Sequence, residues 1–192
     1  MNFKIVAFYL LFTTLAFHCF CQESTIKYYQ RVYQNPFVGT CVDKLLMSIK
    51  GDTVNAIFYS KCYAQKVGRS RNLTGKFVNK NVIEGITATD KFKIEISENK
   101  NTIKCYFGND SKGIELILSP PKYKFENGLR FLRINPNDNA KAISQVDVKK
   151  TFTQLIEIGK LQNKDYTTCF WFKVRVNNLE GWVLGGINLS DF

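Results

Sequence analysis

The chain has 192 residues, with 27 Lys or Arg against 16 Asp or Glu, so its formal net charge is +11. This balance favours anionic partners such as nucleic acid, acidic wall polymers or lipid headgroups, although lysines scattered for solubility give the same balance. The single histidine, His18, lies in a segment that we expect to be removed. Without an imidazole, Ser-His-Asp and Cys-His enzymes and His-containing zinc sites are nearly excluded.

The first 21 residues have the pattern of a secretory signal peptide. Lys4 precedes an uncharged apolar run over 5–17, and Cys19 and Cys21 fit the small positions before a cleavage site. A retained anchor is the alternative, but the run is shorter than the roughly 20 apolar residues of a spanning helix. We therefore predict a signal peptide over 1–21, no membrane span after cleavage, and a secreted, periplasmic or cell-envelope location.

The rest of the chain predicts an all-β fold. Residues 22–36 form a lead segment, in which 23–35 fit a short amphipathic helix. Alternating polar and apolar residues then predict an antiparallel β domain over 37–120, with strands at 39–50, 53–65, 71–78, 82–87, 91–97, 102–107 and 114–119. Pro120-Pro121 cannot continue a central strand and marks a join. A second β unit over 128–192 has predicted strands at 129–134, 142–146, 152–158, 170–176 and 181–184.

Four cysteines remain after cleavage, at 41, 62, 105 and 169. An even number in a secreted chain favours disulfides. If Gly51-Asp52 is a two-residue hairpin turn, Cys41 faces Cys62 in a non-hydrogen-bonded pair, where Cα atoms approach to about 4.5 Å. This separation predicts a Cys41–Cys62 disulfide, with two small buried residues on facing strands as the alternative. We expect Cys105 and Cys169 to be core thiols rather than a bond that clamps the two units.

Both tryptophans lie in the closing stretch WFKVRVNNLEGWVLGGINL, residues 171–189. Alternation over 170–176 gives one apolar face of Phe and Val and one face that carries Trp171, Lys173 and Arg175. A turn within 177–180 would set Arg175 opposite Trp182 and Trp171 opposite Gly186. This register predicts an aromatic platform, with the alternative that the segment 161–168 folds over both rings. The predicted ligand-binding residues are Trp171, Lys173, Arg175 and Trp182.

From 129 to 189 the chain resembles a bacterial SH3-type domain. The resemblance is carried by FLRINPNDNAKAI (131–143), TFTQLIEIG (151–159), WFKVR (171–175) and GWVLGGINL (181–189). The last two are the most specific, because the family commonly ends in a W-[YF]-K-V strand, a short turn and G-W-V. The chain departs from the family in its first strand, where L-N-V-R-x-G-P becomes L-R-I-N-P, and in an insertion at 161–168. The resemblance implies a small SH3-like barrel that binds or targets cell-wall peptide or peptidoglycan.

The N-terminal unit is similar, more weakly, to small secreted β-barrel or meander domains of lipocalin-like shape. The matching stretches are FVGTC, GDTVNAIFYSK, NLTGKF, KFKIEIS and KGIELILS. No residue role follows from this likeness. A ligand cavity and a filled core require the same inward alternation, so the barrel could belong to either class.

Three functional hypotheses follow. The leading one is a non-catalytic secreted binding protein whose SH3-like domain recognises peptidoglycan, a peptide or another envelope protein, with an anionic polymer as a further partner. The alternative is an extracytoplasmic small-ligand carrier or an enzyme inhibitor that uses the N-terminal barrel. We expect no catalytic residue, no metal and no cofactor, because P-loop and dinucleotide-binding glycine patterns are absent from the sequence.

The third hypothesis is a carboxylate-dependent hydrolase that uses pairs drawn from Glu84, Asp90, Glu95 and Glu115. Paired carboxylates can perform acid-base chemistry on glycosides. Charged residues at alternate strand positions are more simply explained as a solvated face. The densest cationic cluster, Lys61, Lys66, Arg69, Arg71, Lys76 and Lys80, is assigned to none of these functions.

Overall fold

The computed structural model describes residues 23–65, 68–126, 128–148, 153–164 and 167–189. These residues form fifteen strands and no helix, which confirms the all-β prediction. The predicted signal peptide lies outside the described residues, as does Lys66 of the cationic cluster. Within the described ranges, no helix is long and apolar enough to cross a membrane.

Eight antiparallel strands close into a barrel in chain order, with β8 pairing back onto β1. The seven strands predicted between residues 39 and 119 are all found, most of them within two residues of the expected ends. Their bounds are β1 Thr25–Asn35, β2 Gly39–Lys50, β3 Thr53–Cys62, β4 Arg69–Asn79, β5 Val82–Ile86, β6 Lys91–Ile96, β7 Thr102–Phe107 and β8 Ile114–Leu118.

The predicted helix in the lead segment is wrong, because this segment is β1. It pairs with β2 along its whole length, from Thr25 opposite Ile49 to Asn35 opposite Gly39. Tyr29 points into the barrel, whereas Tyr28 packs against a second sheet outside it, and both are fully buried. A strand that is buried on two faces loses the alternation of polar and apolar residues, and its apolar spacing then resembles a helical one.

Apolar side chains fill the barrel interior. Leu45, Met47, Phe58, Ile94 and Leu116 belong to one buried cluster there. A small ligand carried by this barrel would have to displace side chains that already pack against one another.

The second sheet has five strands in the order β11-β10-β14-β13-β12, and a short pair, β15-β9, lies beside it. The predicted insertion at 161–168 lengthens the β12–β13 hairpin, whose residues 165–166 lie outside the description. The strands are β9 Lys124–Phe125, β10 Leu129–Arg133, β11 Ala142–Asp147, β12 Thr153–Lys164, β13 Thr167–Val176, β14 Leu179–Leu184 and β15 Ile187–Asn188.

One apolar face of this sheet packs on the outside of the barrel. Phe170, Phe172 and Val174 share a buried cluster with Tyr28 and Ile57 of the barrel wall. Polar groups join the same two surfaces. The Lys44 Nζ donates to the Leu189 carbonyl at 2.8 Å, and the Asn55 Nδ2 donates to the Ile158 carbonyl at 3.0 Å. The opposite face of the sheet is therefore the one available to a ligand.

The β2–β3 hairpin has the predicted register and the predicted disulfide. Lys50 pairs with Thr53 across the Gly51-Asp52 turn, and Cys41 lies opposite Cys62 with Cα atoms 3.9 Å apart and a sulfur–sulfur bond. Such bonds form and persist in oxidising compartments. Cys105 is a free thiol in the barrel core, so no disulfide joins it to Cys169.

Candidate functional site

The β13–β14 hairpin orders the outer face of the second sheet, but its register differs from the predicted one. Val176 pairs with Leu179 across a two-residue turn at Asn177-Asn178, in which Asn177 has a φ of 53°. Asn is one of the residues that tolerates this left-handed conformation. β14 thus begins at Leu179, two residues before Gly181. Every predicted partner is therefore shifted by two positions, and each side chain stays on its predicted face.

The predicted partners are corrected accordingly. Arg175 lies opposite Glu180 rather than Trp182, and Trp182 lies opposite Lys173. Trp171 lies opposite Leu184 rather than Gly186.

Trp171 is not an exposed platform residue, because only 1% of it is accessible. Its indole Nε1 donates to the Gln162 Oε1 at 2.6 Å, and the Gln162 Nε2 donates to the Asp138 Oδ2 at 2.6 Å. The extended end of β12 therefore contacts Trp171, whereas the alternative interpretation expected the segment 161–168 to cover both rings. Only an edge of this ring lines a pocket.

Trp182 is partly exposed and lies across the outer face of the sheet. By register it sits between Lys173 on β13 and Arg133 on β10. Its ring extends as far as Gly159 on β12, where an added Cβ would meet the Trp182 Cζ3 at 2.4 Å. Gly159 therefore leaves the space that the Trp182 ring occupies.

Lys173 and Arg175 are both paired with Glu180. The Arg175 Nε donates to the Glu180 Oε1 at 2.8 Å, and the Lys173 Nζ lies 3.6 Å from the Glu180 Oε2. The hydrogen bond from Arg175 is the main cause that lowers the pKa of Glu180, and Lys173 adds to it. Both cations line a concavity of about 480 Å³ beside Ile26 that does not include either tryptophan. The four predicted ligand-binding residues therefore share a face but not one pocket.

A different pocket lies over the junction of β10, β13 and β14, and we call it the arginine pocket. Its volume is about 360 Å³, within the range of small-molecule and peptide sites. It is lined by Glu126, Leu129, Arg130, Phe131, Arg133, Asp138, Cys169, Trp171, Leu184, Gly185 and Gly186.

The guanidinium of Arg130 has weak hydrogen bonding in this pocket. Its Nη1 and Nη2 donate at 3.4 Å to the Leu184 carbonyl and at 3.5 Å to the Glu126 carboxylate, and both bonds are long. Its buried Nε has no hydrogen-bond partner. The guanidinium packs on Gly186, where an added Cβ would approach the Nε to 3.2 Å. A buried donor without a partner is unfavourable, so the guanidinium gains if it turns away from Gly186 towards an acceptor that a ligand brings.

Arg133 and Phe131 form the other wall of the pocket. The Arg133 Nη1 donates to the Ala140 carbonyl at 2.6 Å, and the guanidinium carbon lies 5.6 Å from the centre of the Phe131 ring. Phe131 is more than half exposed. Sequence reasoning missed Arg130, Phe131 and Arg133. The available signal was the pair of arginines on the predicted strand 129–134, together with the glycine pair Gly185-Gly186 that follows the predicted strand 181–184.

The four carboxylates of the hydrolase hypothesis lie on the barrel wall or in its turns. Glu84 faces Lys93 across β5 and β6, and Lys104 lies between Glu95 and Glu115 on the neighbouring strands. Hydrogen bonds from Lys93 and then Tyr106 lower the pKa of Glu95, whereas a general acid requires a raised one. Alternating charges across strands are typical of a solvated face.

Among the described residues, no group of three or more His, Cys, Asp or Glu side chains is placed to hold a metal ion. Comparison with protein-family models finds no match, and comparison with curated proteins finds no relative.

Proposed function

We propose that this is a non-catalytic secreted binding protein whose C-terminal unit, an SH3-type domain, recognises a cell-wall component or peptide through the arginine pocket. The observation that carries the proposal is the buried, unpartnered Nε of Arg130 in a concave site at the junction of β10, β13 and β14. Ligand sites commonly combine such a concavity with a few convergent polar groups.

The local structure of the tryptophan stretch supports the SH3-type assignment. The W-F-K-V segment is β13, the two-residue turn follows it, and G-W-V lies in β14. The Cys41–Cys62 disulfide supports secretion, because such bonds persist outside the reducing cytosol.

The chemistry of the pocket suits a peptide-like ligand. The guanidinium groups of Arg130 and Arg133 can bind a carboxylate or carbonyl oxygens. The carboxylates of Glu126 and Asp138 can accept hydrogen bonds from N–H groups, and Phe131 offers an apolar wall. A ligand that carries only negative or only positive charge would pair with the two arginines or with the two carboxylates, but not with both.

Sedimentation with purified peptidoglycan tests the proposal. The wild type is expected to co-sediment, and Arg130→Gln is expected to weaken retention about tenfold, because a charged hydrogen bond contributes about 1.5 to 3 kcal/mol. Arg175→Gln is the matched control, since Arg175 belongs to the same sheet but lines a different concavity from the arginine pocket.

Two results would count against the proposal. One is equal retention of Arg130→Gln and the wild type. The other is release of soluble glycan fragments, which would indicate a hydrolase.

A further inference from the structure

The barrel end that carries the disulfide has a pair of strongly exposed aromatic residues. Phe37 lies in the turn between β1 and β2 and is 92% exposed, and Tyr63 directly follows β3 and is 80% exposed. We call the turn 36–38 and the segment 63–65 together the clamped tip. Scattered single apolar residues are ordinary on a surface, but two such aromatic side chains at one tip are a local concentration.

The backbone of the clamped tip is fixed although its aromatic side chains are free. The Cys41–Cys62 disulfide ties the two strands at the base of the tip. Beyond it, the Tyr63 amide donates to the Thr40 carbonyl at 2.7 Å and the Ala64 amide donates to the Val38 carbonyl at 3.3 Å. The Asn35 Oδ1 accepts from the Phe37 amide at 2.9 Å. The backbone that carries Phe37 and Tyr63 therefore needs no ordering at the moment of binding.

The surroundings of the clamped tip are cationic. At the barrel end that carries the tip, the exposed cations Arg69, Arg71, Lys91 and Lys112 outnumber the exposed carboxylates of Asp90 and Asp110. Asp43 is buried and paired with Arg31 at 2.6 Å, and Asp52 lies in the turn at the opposite end of the barrel. Arg69 and Arg71 are exposed at the start of β4, and Arg69 lies opposite Ser60, two residues before the disulfide.

We propose that the clamped tip docks the protein on an anionic lipid surface. Aromatic side chains on a convex tip can enter the headgroup region, where amphipathic rings such as that of tyrosine are favoured, and guanidinium groups beside them are attracted to anionic headgroups. The tip projects from the barrel rather than forming a groove, and its charge is complementary to such a surface. This docking is independent of the arginine pocket.

The test is co-sedimentation of the mature chain, residues 22–192, with vesicles of phosphatidylcholine, with and without phosphatidylglycerol. The wild type is expected to bind only the anionic vesicles and to be released by salt. The double variant Phe37→Ala/Tyr63→Ala is expected to lose about tenfold or more in partitioning, because two largely exposed rings would no longer be buried. Arg69→Gln/Arg71→Gln is expected to lose a similar factor at low ionic strength.

The matched control is Val78→Ala/Lys80→Gln, which removes an exposed apolar residue and a cation at the opposite end of the barrel. It is expected to partition like the wild type, and thermal melts show whether each variant is folded. The proposal is overturned if the wild type does not bind anionic vesicles, which is the result expected of a tip that inserts into a protein cleft. It is also overturned if the control variant loses as much binding as the tip variants. Peptidoglycan retention by the tip variants is expected to be unchanged, which separates this proposal from the arginine pocket.

Discussion

The Trp182 ring reaches across β13 to β12, where Gly159 leaves room for it. An added Cβ at Gly159 would approach the Trp182 Cζ3 to 2.4 Å and the Trp171 carbonyl oxygen to 3.2 Å. Gly159→Ala is therefore expected to displace the ring and to lower the free energy of unfolding by about 1 to 3 kcal/mol. Urea denaturation followed by tryptophan fluorescence measures this loss.

A double-mutant cycle with Trp182→Ala isolates the contact. Gly159→Ala should cost much less in the Trp182→Ala background than in the wild type, because most of the clash is with the missing ring. An equal loss of unfolding free energy in both backgrounds would mean that the Trp182 ring does not lie against Gly159.

Cys105 makes the stability of the barrel depend on alkaline pH. Burial is the main cause that raises the pKa of its thiol from 9.0 to about 12, and Asp43 adds to it. The folded state therefore keeps a proton that the unfolded state releases, so stability is fully present below pH 9.0 and falls as the pH rises towards about 12. Denaturation at a series of pH values measures this slope.

Cys105→Ala should reduce this slope without abolishing it. Burial also raises the pKa of Tyr28 from 10.0 to about 12, so Tyr28 contributes a similar loss of stability that the variant retains. An unchanged slope in Cys105→Ala would contradict the burial of the thiol.

At the scale of elements, the β2–β3 hairpin depends on its disulfide. The bond joins residues that are 21 positions apart, and a loop of that length is worth about 3 kcal/mol in chain entropy. Cys41→Ala/Cys62→Ala is expected to lose about that amount against the oxidised wild type. Urea denaturation of both proteins under oxidising conditions measures the difference.

Reduction of the wild type provides the control for lost side-chain packing. Reduced wild type and the double alanine variant should unfold at similar urea concentrations. A variant as stable as the oxidised protein would show that the bond contributes little.

The same hairpin shows how far local sequence determines an element. Gly51-Asp52 permits one tight turn, so the register and the pairing of Cys41 with Cys62 could be predicted. The segment 177–180 permits several turns, and the hydrophobic alternation of β13 and β14 is satisfied by any even shift. The faces were therefore predicted correctly, whereas the partners of Trp171, Arg175 and Trp182 were not.

The arginine pocket and β1 could not be predicted for a related reason. Tyr28 and Tyr29 are buried by different sheets, which local spacing does not reveal. The pocket joins Glu126 and Arg130 to Gly185 and Gly186, and these residues meet because β14 pairs with β10 and β15 pairs with β9. Gln162 contacts Trp171 from the extended end of the β12–β13 hairpin. The alternation of polar and apolar residues does not predict how far a hairpin extends.

At the scale of the whole molecule, the barrel and the second sheet share one apolar cluster. Leu46 and Ile57 of the barrel wall pack with Ile158 and Phe170 of the second sheet. We therefore expect both sheets to unfold in a single cooperative transition. Both tryptophans report on the second sheet, and the buried Cys105 thiol reports on the barrel.

Two probes test this cooperativity in the mature chain, residues 22–192, with the substitution Cys169→Ser. Tryptophan fluorescence and labelling of the Cys105 thiol should give coincident urea transitions. Labelling at a lower urea concentration than the fluorescence change would show that the barrel opens by itself.

The most direct test of the central claim is a titration of the isotope-labelled protein with soluble peptidoglycan fragments, followed by backbone and side-chain NMR. Binding at the arginine pocket predicts saturable shifts at the Arg130 Nε and the Gly185 and Gly186 amides, with the fragments recovered intact. Shifts confined to the barrel strands, the absence of saturable shifts, or cleavage of the fragments would contradict it.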